Sequence, residues 1–283
     1  MVRRAYPAGV HQVVAGRFQL IEPIGEGATG IVWRARDRRR RRVVAVKVLS
    51  QHGADDVLRF VREQTFRVVH PHVVAPDGWG ADDDVVVLAM DLVRGGTAER
   101  LLARYGALPE DYVAVLLDQL LQGLDAVHRA GLVHRDVKPA NLLLEPTGTA
   151  RPHLRLGDFG VAAPVASGAT GAVGTDGYVA PEQAAGAPPE PRQDLFAAGM
   201  TAAELLTGRL PQAPDDLPHG RLRPLLRSLV APDPRARPAS AGASLALLRQ
   251  YGVPTGSPWL RRPHPPDVPA LHAARTGWRT LTR

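Results

Sequence analysis

The sequence of 283 residues contains no cysteine and only two lysines, although lysine and arginine together number 35. The absence of cysteine excludes disulfide bonds and thiol chemistry. Aromatic residues make up only 5% of the chain, and no basic segment carries the interleaved aromatic side chains on which nucleic-acid bases stack. We therefore expect no nucleic-acid partner, despite a net charge of +7.

Long apolar runs are also missing. Nowhere do about 18 apolar residues follow one another, so no membrane-spanning helix is expected. No apolar segment of the signal-peptide kind follows the first four residues. With 45% hydrophobic and 22% charged residues, the composition predicts a soluble globular protein of the cytoplasm.

The residue pattern changes along the chain from strand-like to helical. Short runs rich in valine and isoleucine predict strands in the first third, at 17–21, 30–36, 43–49, 72–76 and 85–90. One helix is predicted among them, from Asp55 to about Val68. After residue 108 apolar residues recur at helical spacing, which predicts helices at 109–130, 194–207, 221–230 and 240–249.

This order predicts an α+β fold of two lobes. A β-rich N-terminal lobe with one helix would span 16–91, a mainly helical C-terminal lobe would span 97–250, and a hinge would join them. Residues 1–15 are interpreted as an N-terminal extension. The Pro- and Arg-rich segment 251–283 has weak periodicity and is expected to be a disordered tail. The arginine run at 38–42 is interpreted as a solvated turn between two strands.

A glycine-rich motif stands between the first two long predicted strands. Gly25, Glu26, Gly27, Gly30 and Val32 follow the pattern G-x-G-x-x-G-x-V. A dinucleotide-binding turn has the same glycine spacing but opens into a helix. Here the chain continues as a strand, which favours a hairpin whose backbone N–H groups close over phosphates.

The two lysines belong to further motifs. Lys47 ends the VAVK sequence on the next predicted strand, and Lys138 lies in the sequence HRDVKPAN between Asp136 and Asn141. Asp158 begins a DFG sequence farther along, and an APE sequence follows at 180–182. With these five motifs in this order, the chain resembles the eukaryotic-type serine/threonine protein kinases of bacteria, especially actinobacteria, over residues 16–250.

The resemblance implies an ATP-dependent protein kinase and gives each motif a role. Asp136 would accept the proton of the substrate hydroxyl, and Lys138 would bring a compact positive charge to the γ-phosphate. Lys47, held by Glu63, would bind the α- and β-phosphates. Asn141 and Asp158 would bind Mg²⁺, for which Mn²⁺ could substitute.

The resemblance also implies an adenine site and a serine/threonine preference. Met90 would be the gatekeeper beside the hinge residues Asp91 and Val93. The adenine would lie between Val32, Ala45 and Leu143. Lysine at position 138 is the mark of serine/threonine rather than tyrosine kinases, and Thr175 would hydrogen-bond to both Asp136 and Lys138.

The resemblance also implies residues that regulate the kinase activity and residues that stabilise the fold around the site. Arg135 marks kinases that are controlled by phosphorylation of the activation segment, for which Thr170 is the first candidate and Ser167 the second. A homodimer could carry out this autophosphorylation in trans. Glu182 would pair with Arg237, and Asp194 would anchor the catalytic loop.

The sequence departs from the family pattern at two places. Glu63 stands only seven residues before His70, and Arg67 occupies a position that is usually apolar, so Phe66 or Val68 would have to replace it. The segment after Gly208 is short, so a substrate-docking helix there would be reduced or absent. The alternatives to an active kinase are a nucleotide-binding pseudokinase scaffold and a small-molecule phosphotransferase of the same fold.

Overall fold

The computed structural model describes residues 12–27, 30–49, 68–82, 85–165, 167, 173–212 and 216–271. The N-terminal part is built on strands β1 (Val13–Val14), β2 (Phe18–Gly27), β3 (Gly30–Asp37), β4 (Arg42–Leu49), β5 (Gly78–Asp82) and β6 (Val85–Met90). Within the described residues these strands form one antiparallel sheet in the order β1-β2-β3-β4-β6-β5. The helix predicted at 55–68 lies, except for Val68, outside the described residues.

The core of this lobe is built from strand residues. Phe18, Val46 and Val87 have no exposed surface, and Ala35 and Val44 pack with them. Burying a side chain such as Phe18 is worth about 2 kcal/mol. The central strand β4 is buried along most of its length, which explains its nearly continuous run of valine and alanine.

The strand predicted at 72–76 is wrong, because the strand of this region is β5, which begins six residues farther on at Gly78. Two hydrogen bonds hold 72–76 to the helical lobe instead, from Val74 N to Leu156 O at 2.8 Å and from Leu156 N to His72 O at 2.9 Å. Val73 is buried there. The apolar run therefore serves as a connection between the lobes.

The C-terminal lobe is mainly helical. Its elements are α1 (Ala98–Tyr105), α2 (Glu110–Arg129), β7 (Leu132–Val133), β8 (Leu142–Leu144), β9 (Leu154–Leu156), β10 (Ala163–Pro164), α3 (Pro181–Ala184), α4 (Pro191–Thr207), α5 (Arg223–Leu229) and α6 (Ala241–Tyr251). Helix α2 crosses the core and contacts both α4 and α6. The predicted order of a β-rich lobe and a helical lobe is confirmed, whereas α1 and α3 were not predicted.

The expectation of a disordered tail is wrong for residues 252–271. Trp259 is 1% exposed and its ring meets that of Tyr112 edge-on, with 5.1 Å between the ring centroids. Val268 is also 1% exposed, and its N–H and carbonyl both bond to Gly148, at 3.0 and 2.9 Å. Two buried apolar residues that are far apart in sequence hold this segment. Such residues give no periodic pattern, so the sequence did not indicate them. Residues 272–283 lie outside the described residues.

The arginine run at 38–42 forms the expected turn. Residues 38–41 are exposed, and the carboxylate of Asp37 accepts bonds from the backbone N–H groups of Arg39 and Arg40 at 3.0 and 3.1 Å. The side chains of Arg40 and Arg42 both bind Asp77. The run therefore joins the β3–β4 turn to the start of β5.

Candidate active site

The glycine motif lies in the β2–β3 hairpin. Gly25 pairs with Val32, and Gly27 pairs with Gly30. Gly30 has φ 144°, and a Cβ on it would lie 2.1 Å from the carbonyl oxygen of Val48. Both observations require glycine at this position. Glu26 is exposed on the same hairpin, whereas its tip, residues 28 and 29, lies outside the described residues.

Lys47 lies beneath this hairpin, because β3 and β4 pair Val32 with Lys47. Its side chain is buried, and its Nζ is 2.5 Å from Oδ1 of Asp158. Asp158 has φ 60° and also accepts the N–H of Gly160 at 3.2 Å. Desolvation favours the neutral form of Asp158, but the charge of Lys47 and its hydrogen bond outweigh it and lower the pKa of Asp158. The Asp158 carboxylate is therefore ionised at neutral pH.

The expected partner of Lys47, Glu63, lies outside the described residues, as do Phe66 and Arg67. Val68 is described and is buried in one cluster with Phe159 of the DFG sequence. The ring of His134 meets the Phe159 ring edge-on, at 4.9 Å between centroids. Val68, one of the two candidates for the apolar position beside the DFG phenylalanine, thus packs in the same buried cluster as Phe159.

The carboxylate of Asp136 is bonded by three side chains from the catalytic loop and the activation segment. Oδ1 accepts the hydroxyl of Thr175 at 2.8 Å, and Oδ2 lies 2.9 Å from both Nζ of Lys138 and Nδ2 of Asn141. Lys138 Nζ also donates to the Thr175 hydroxyl at 2.5 Å. The four residues therefore hold one another in a fixed arrangement around one carboxylate.

Asp194 of α4 supports this loop from the core. It has no exposed surface and accepts the backbone N–H groups of His134 and Arg135, both at 2.8 Å, and Nε2 of His128 at 2.8 Å. Burial favours its neutral form, but the hydrogen bond and charge of His128 lower the pKa of Asp194. Arg135 has φ 68°, an unfavourable backbone conformation that such anchoring maintains. The role of His128 was missed from the sequence, which offers no spacing signal for it.

The apolar residues assigned to the adenine site lie on four strands and in the hinge. Ala45 on β4 pairs with Met90 at the end of β6, and Val32 lies on the neighbouring β3. Leu143 on β8 forms a bridge with Thr97 just after the hinge. Val93 is half-buried within the hinge itself. These residues come from the sheet of one lobe, from the hinge and from the β8 strand of the other lobe.

Asp91 plays a different part in the hinge from the one its assignment as an adenine-facing residue suggests. Its carboxylate accepts bonds from Arg42 of the N-terminal lobe at 2.8 Å and from Arg155 of the C-terminal lobe at 3.2 Å. Burial opposes ionisation, but these two arginines lower the pKa of Asp91. Any contact between Asp91 and an adenine would therefore come from its backbone.

The end of the activation segment is fixed by residues that follow Thr175. Gln183 donates to the carbonyl oxygen of Val173 at 2.5 Å, and the Tyr178 hydroxyl donates to Glu204 of α4. Glu182 pairs with Arg237 at 2.6 and 2.8 Å, as the resemblance implied. Gln183 and Glu204 were missed from the sequence, since single polar residues in apolar helices give no pattern.

A divalent metal would need the nucleotide to complete its coordination. Within the described residues no three His, Cys, Asp or Glu side chains come together in a way that could hold a metal ion. The side-chain NH₂ of Asn141 donates to the backbone carbonyl and to the carboxylate of Asp136, so the side-chain carbonyl oxygen of Asn141 is directed away from these bonds. This oxygen and the Asp158 carboxylate are the hard ligands that Mg²⁺ accepts when phosphates and water supply the rest. The donor set therefore fits a metal that binds together with a nucleotide.

The segment after α4 is short, as the sequence suggested. Residues 208–212 and 216–222 contain no α-helix, and α5 begins at Arg223. No substrate-docking helix is therefore seen in the described part of this connection. Within the described residues, no helix combines the length and the hydropathy that crossing a membrane requires.

Comparison with known proteins agrees with this geometry. The protein kinase domain family matches residues 18–240. Serine/threonine-protein kinase PkaA of Streptomyces coelicolor is 39% identical over 218 residues, which cover 70% of this chain and 40% of PkaA. Kinase pkn3 of Myxococcus xanthus is 32% identical, over 85% of this chain and 51% of pkn3.

PknA of Mycobacterium tuberculosis, another serine/threonine-protein kinase, is 36% identical over 80% of this chain and 54% of its own. The chain thus spans about half the length, or less, of these curated relatives. The family match includes the hairpin, the catalytic loop and the APE sequence that were described above. This chain belongs to the protein kinase domain family, and its relatives are bacterial serine/threonine kinases.

Proposed function

We propose that the chain is an ATP-dependent protein serine/threonine kinase that transfers the γ-phosphate of ATP to a protein hydroxyl. The observation that carries the proposal is the set of bonds around Asp136, to which Lys138, Asn141 and Thr175 all contribute. A carboxylate held in this way is oriented to accept a proton from a hydroxyl group, and the three donors prevent it from rotating away.

The other charged residues would neutralise and position the phosphates. Phosphoryl transfer depends mainly on positioning and on electrostatic stabilisation of charge that moves onto the phosphate oxygens. Lys47 is a buried cation under the glycine hairpin, where it would bind the α- and β-phosphates. Lys138, beside Asp136, would stabilise the γ-phosphate during transfer.

Asn141 and Asp158 would hold Mg²⁺, with Mn²⁺ as a possible substitute. When bound, the metal supplies positive charge against the phosphate oxygens. Asn141 also bonds to Asp136, so the same side chain would keep the proton acceptor and the metal site in register. Lys47 would hold Asp158 in place through their ion pair.

Protein substrates and autophosphorylation belong to this proposal. The lysine at 138 and its bond to Thr175 support serine or threonine as the acceptor, and the anchored APE sequence supports a protein rather than a small-molecule substrate. We propose autophosphorylation within the activation segment, in trans between two copies of the chain. Ser167 and Thr170 are the candidate sites; Thr170 lies outside the described residues. ATP is the phosphoryl donor of the cytoplasm, and we propose that compartment.

The test is phosphorylation with labelled ATP and Mg²⁺ in wild type, Asp136→Asn and Lys138→Arg, followed by site mapping with mass spectrometry. We expect label only in the wild type, on serine or threonine between Asp158 and Glu182. A peptide pair that differs only in serine or tyrosine tests the acceptor. Bound ATP without any label in the wild type would contradict the proposal and support a non-catalytic scaffold.

A further inference from the structure

The C-terminal segment 252–271 crosses the helical lobe from the end of α6 to the hinge. Trp259 anchors its first half, because its ring is buried against Tyr112 and its Nε1 donates to the carbonyl oxygen of Thr149 at 3.0 Å. Val268 anchors its second half through the two backbone bonds to Gly148. Both anchors belong to the core of the lobe, so the segment is part of the fold.

The segment ends on the backbone that leaves the hinge. Leu271 N donates to the carbonyl oxygen of Arg94 at 2.8 Å. Residues 94–96, which we call the hinge exit, are also bonded to β8. Gly95 N donates to Leu144 O at 2.8 Å, and Leu144 N donates to Gly96 O at 2.9 Å. Residues 94–96 are therefore held between β8 on one side and the C-terminal segment on the other.

The side chains of the segment also pack directly on the two glycines of the hinge exit. A Cβ on Gly95 would lie 2.5 Å from Cγ1 of Val268 and 2.4 Å from the carbonyl oxygen of Leu144. A Cβ on Gly96, which has φ 87°, would lie 2.7 Å from Cδ1 of Leu271. Both glycines are thus needed for the close approach of Val268 and Leu271, and Gly96 is needed also for its positive φ.

The hinge exit is continuous with the proposed adenine site. Leu143, which would contact one face of the adenine, precedes Leu144 on β8 and forms a bridge with Thr97. A shift of residues 94–96 would therefore move the hinge relative to Leu143. Since bound groups must be placed within a fraction of an ångström, such a shift would weaken nucleotide binding.

We propose that Val268 and Leu271 are positioning residues for the nucleotide site and that they act through the backbone of residues 94–96. The inference rests on the proposed function, because it assumes that ATP binds between the hinge and Leu143. The C-terminal segment then sets the affinity for ATP although it lies beyond the region that the kinase family matches.

The experiment uses the full chain and the variants Val268→Ala and Leu271→Ala. The Kd of ATP with Mg²⁺ is measured by isothermal titration calorimetry, and KM is measured separately for ATP and for a peptide substrate. We expect the Kd and the KM for ATP to rise roughly three- to tenfold, with the peptide KM unchanged. Leu271→Met keeps the volume and apolar character of the side chain, so this variant should bind ATP as the wild type does, unlike Leu271→Ala.

Two control variants separate positioning from a general loss of stability. Leu260→Ala changes a residue of the same segment that is 50% exposed and should leave both constants unchanged. Leu225→Val removes a methylene from the core at α5, away from the hinge, and should lower the melting temperature without changing the Kd for ATP.

The outcomes distinguish the inference from the proposed function. An unchanged Kd for ATP in folded Val268→Ala and Leu271→Ala, or an equal rise in Leu225→Val, overturns the inference alone. ATP binding that responds as expected, without phosphate transfer in the wild type, supports the inference and contradicts the kinase activity. A wild type that binds no ATP overturns both.

Discussion

Arg237 and Glu182 form a two-pronged ion pair at the base of the activation segment, with nitrogen–oxygen distances of 2.6 and 2.8 Å. The Arg237 side chain has no exposed surface. Its remaining N–H groups donate to the carbonyl oxygens of Ala231, Arg192 and Pro232, at 2.8, 2.9 and 3.2 Å. One guanidinium therefore ties the APE sequence to α4 and to the loop before α6.

Arg237→Ala should destabilise the fold by about 3–5 kcal/mol, because it leaves the Glu182 carboxylate and three carbonyl groups without their donor. Arg237→Lys should also destabilise it strongly, since an ammonium cannot reproduce the planar fork. Urea unfolding measures both. Arg129→Ala is the control, because Arg129 is 78% exposed in its pair with Asp125 and should cost about 0.5 kcal/mol or less. Equal costs at both sites would contradict this account.

Lys138→Arg should reduce kcat by about 100-fold or more, although the charge is unchanged. The Nζ atom of Lys138 fits between Asp136 and Thr175, and a planar guanidinium requires more room and a different bond geometry. The measurement is peptide phosphorylation at saturating ATP, with the Kd of ATP as the check that the site is intact. Near-normal kcat in this variant would show that a compact cation is not required.

Asp194→Asn should lower kcat and destabilise the fold by about 3 kcal/mol. The carboxylate accepts two backbone N–H groups of the catalytic loop with different oxygens, so an amide would turn its NH₂ toward a donor and leave one group unsatisfied. Hydrogen exchange at residues 134 and 135 should become faster. Unchanged protection of these amides would contradict the assigned anchoring role.

Acid should weaken the N-terminal lobe through Asp37. The hydrogen bond from Arg17 lowers the pKa of Asp37 from 3.8 to about 2, and the bidentate contact to Arg17 is 2.5–2.9 Å. Because the folded state has the lower pKa, this contribution is present above about pH 4 and is lost as the pH falls through about 2. It amounts to about 1 kcal/mol after solvent screening.

The corresponding measurement is the free energy of unfolding of wild type and Asp37→Asn between pH 6 and 2. The stability difference between the two proteins should shrink by about 1 kcal/mol as the pH falls. Asp82→Asn is a comparison at the exposed end of β5, the edge strand on the other side of the same sheet. A constant difference for Asp37→Asn across the range would mean that its ionisation does not contribute.

Sequence patterns predict the parts of this fold whose local preference and tertiary role agree. The valine-rich strands and the long helix α2 were predicted because burial and periodicity coincide there. The run at 72–76 has the composition of a strand, but its backbone bonds to Leu156 in the other lobe, a partner that no local pattern indicates. The short helix α1 buries only Ala98 and Leu101, which is too few residues for a recognisable period.

The residues of the candidate site likewise fall into those that sequence patterns predict and those that they do not. Ordered motifs indicate Lys47, Asp136 and Asp158, because each carries its chemistry in a short stretch of sequence. Residues that act through contacts distant in sequence are brought to the site by the fold, as His128 is to the Asp194 carboxylate and Leu271 to the backbone of Arg94. Their contacts depend on tertiary distances, so a single sequence gives no signal for them.

Both lysines of the chain lie in the proposed phosphate-binding region, Lys47 buried and Lys138 partly exposed with a side-chain accessibility of 23%. Amine-directed chemistry therefore has no lysine targets elsewhere on the molecule. Acylating reagents, and any enzyme that acylates lysine, would modify either the terminal amine or this region. Resistance of Lys138 to acylation upon addition of ATP would thus give a footprint of nucleotide occupancy with almost no background.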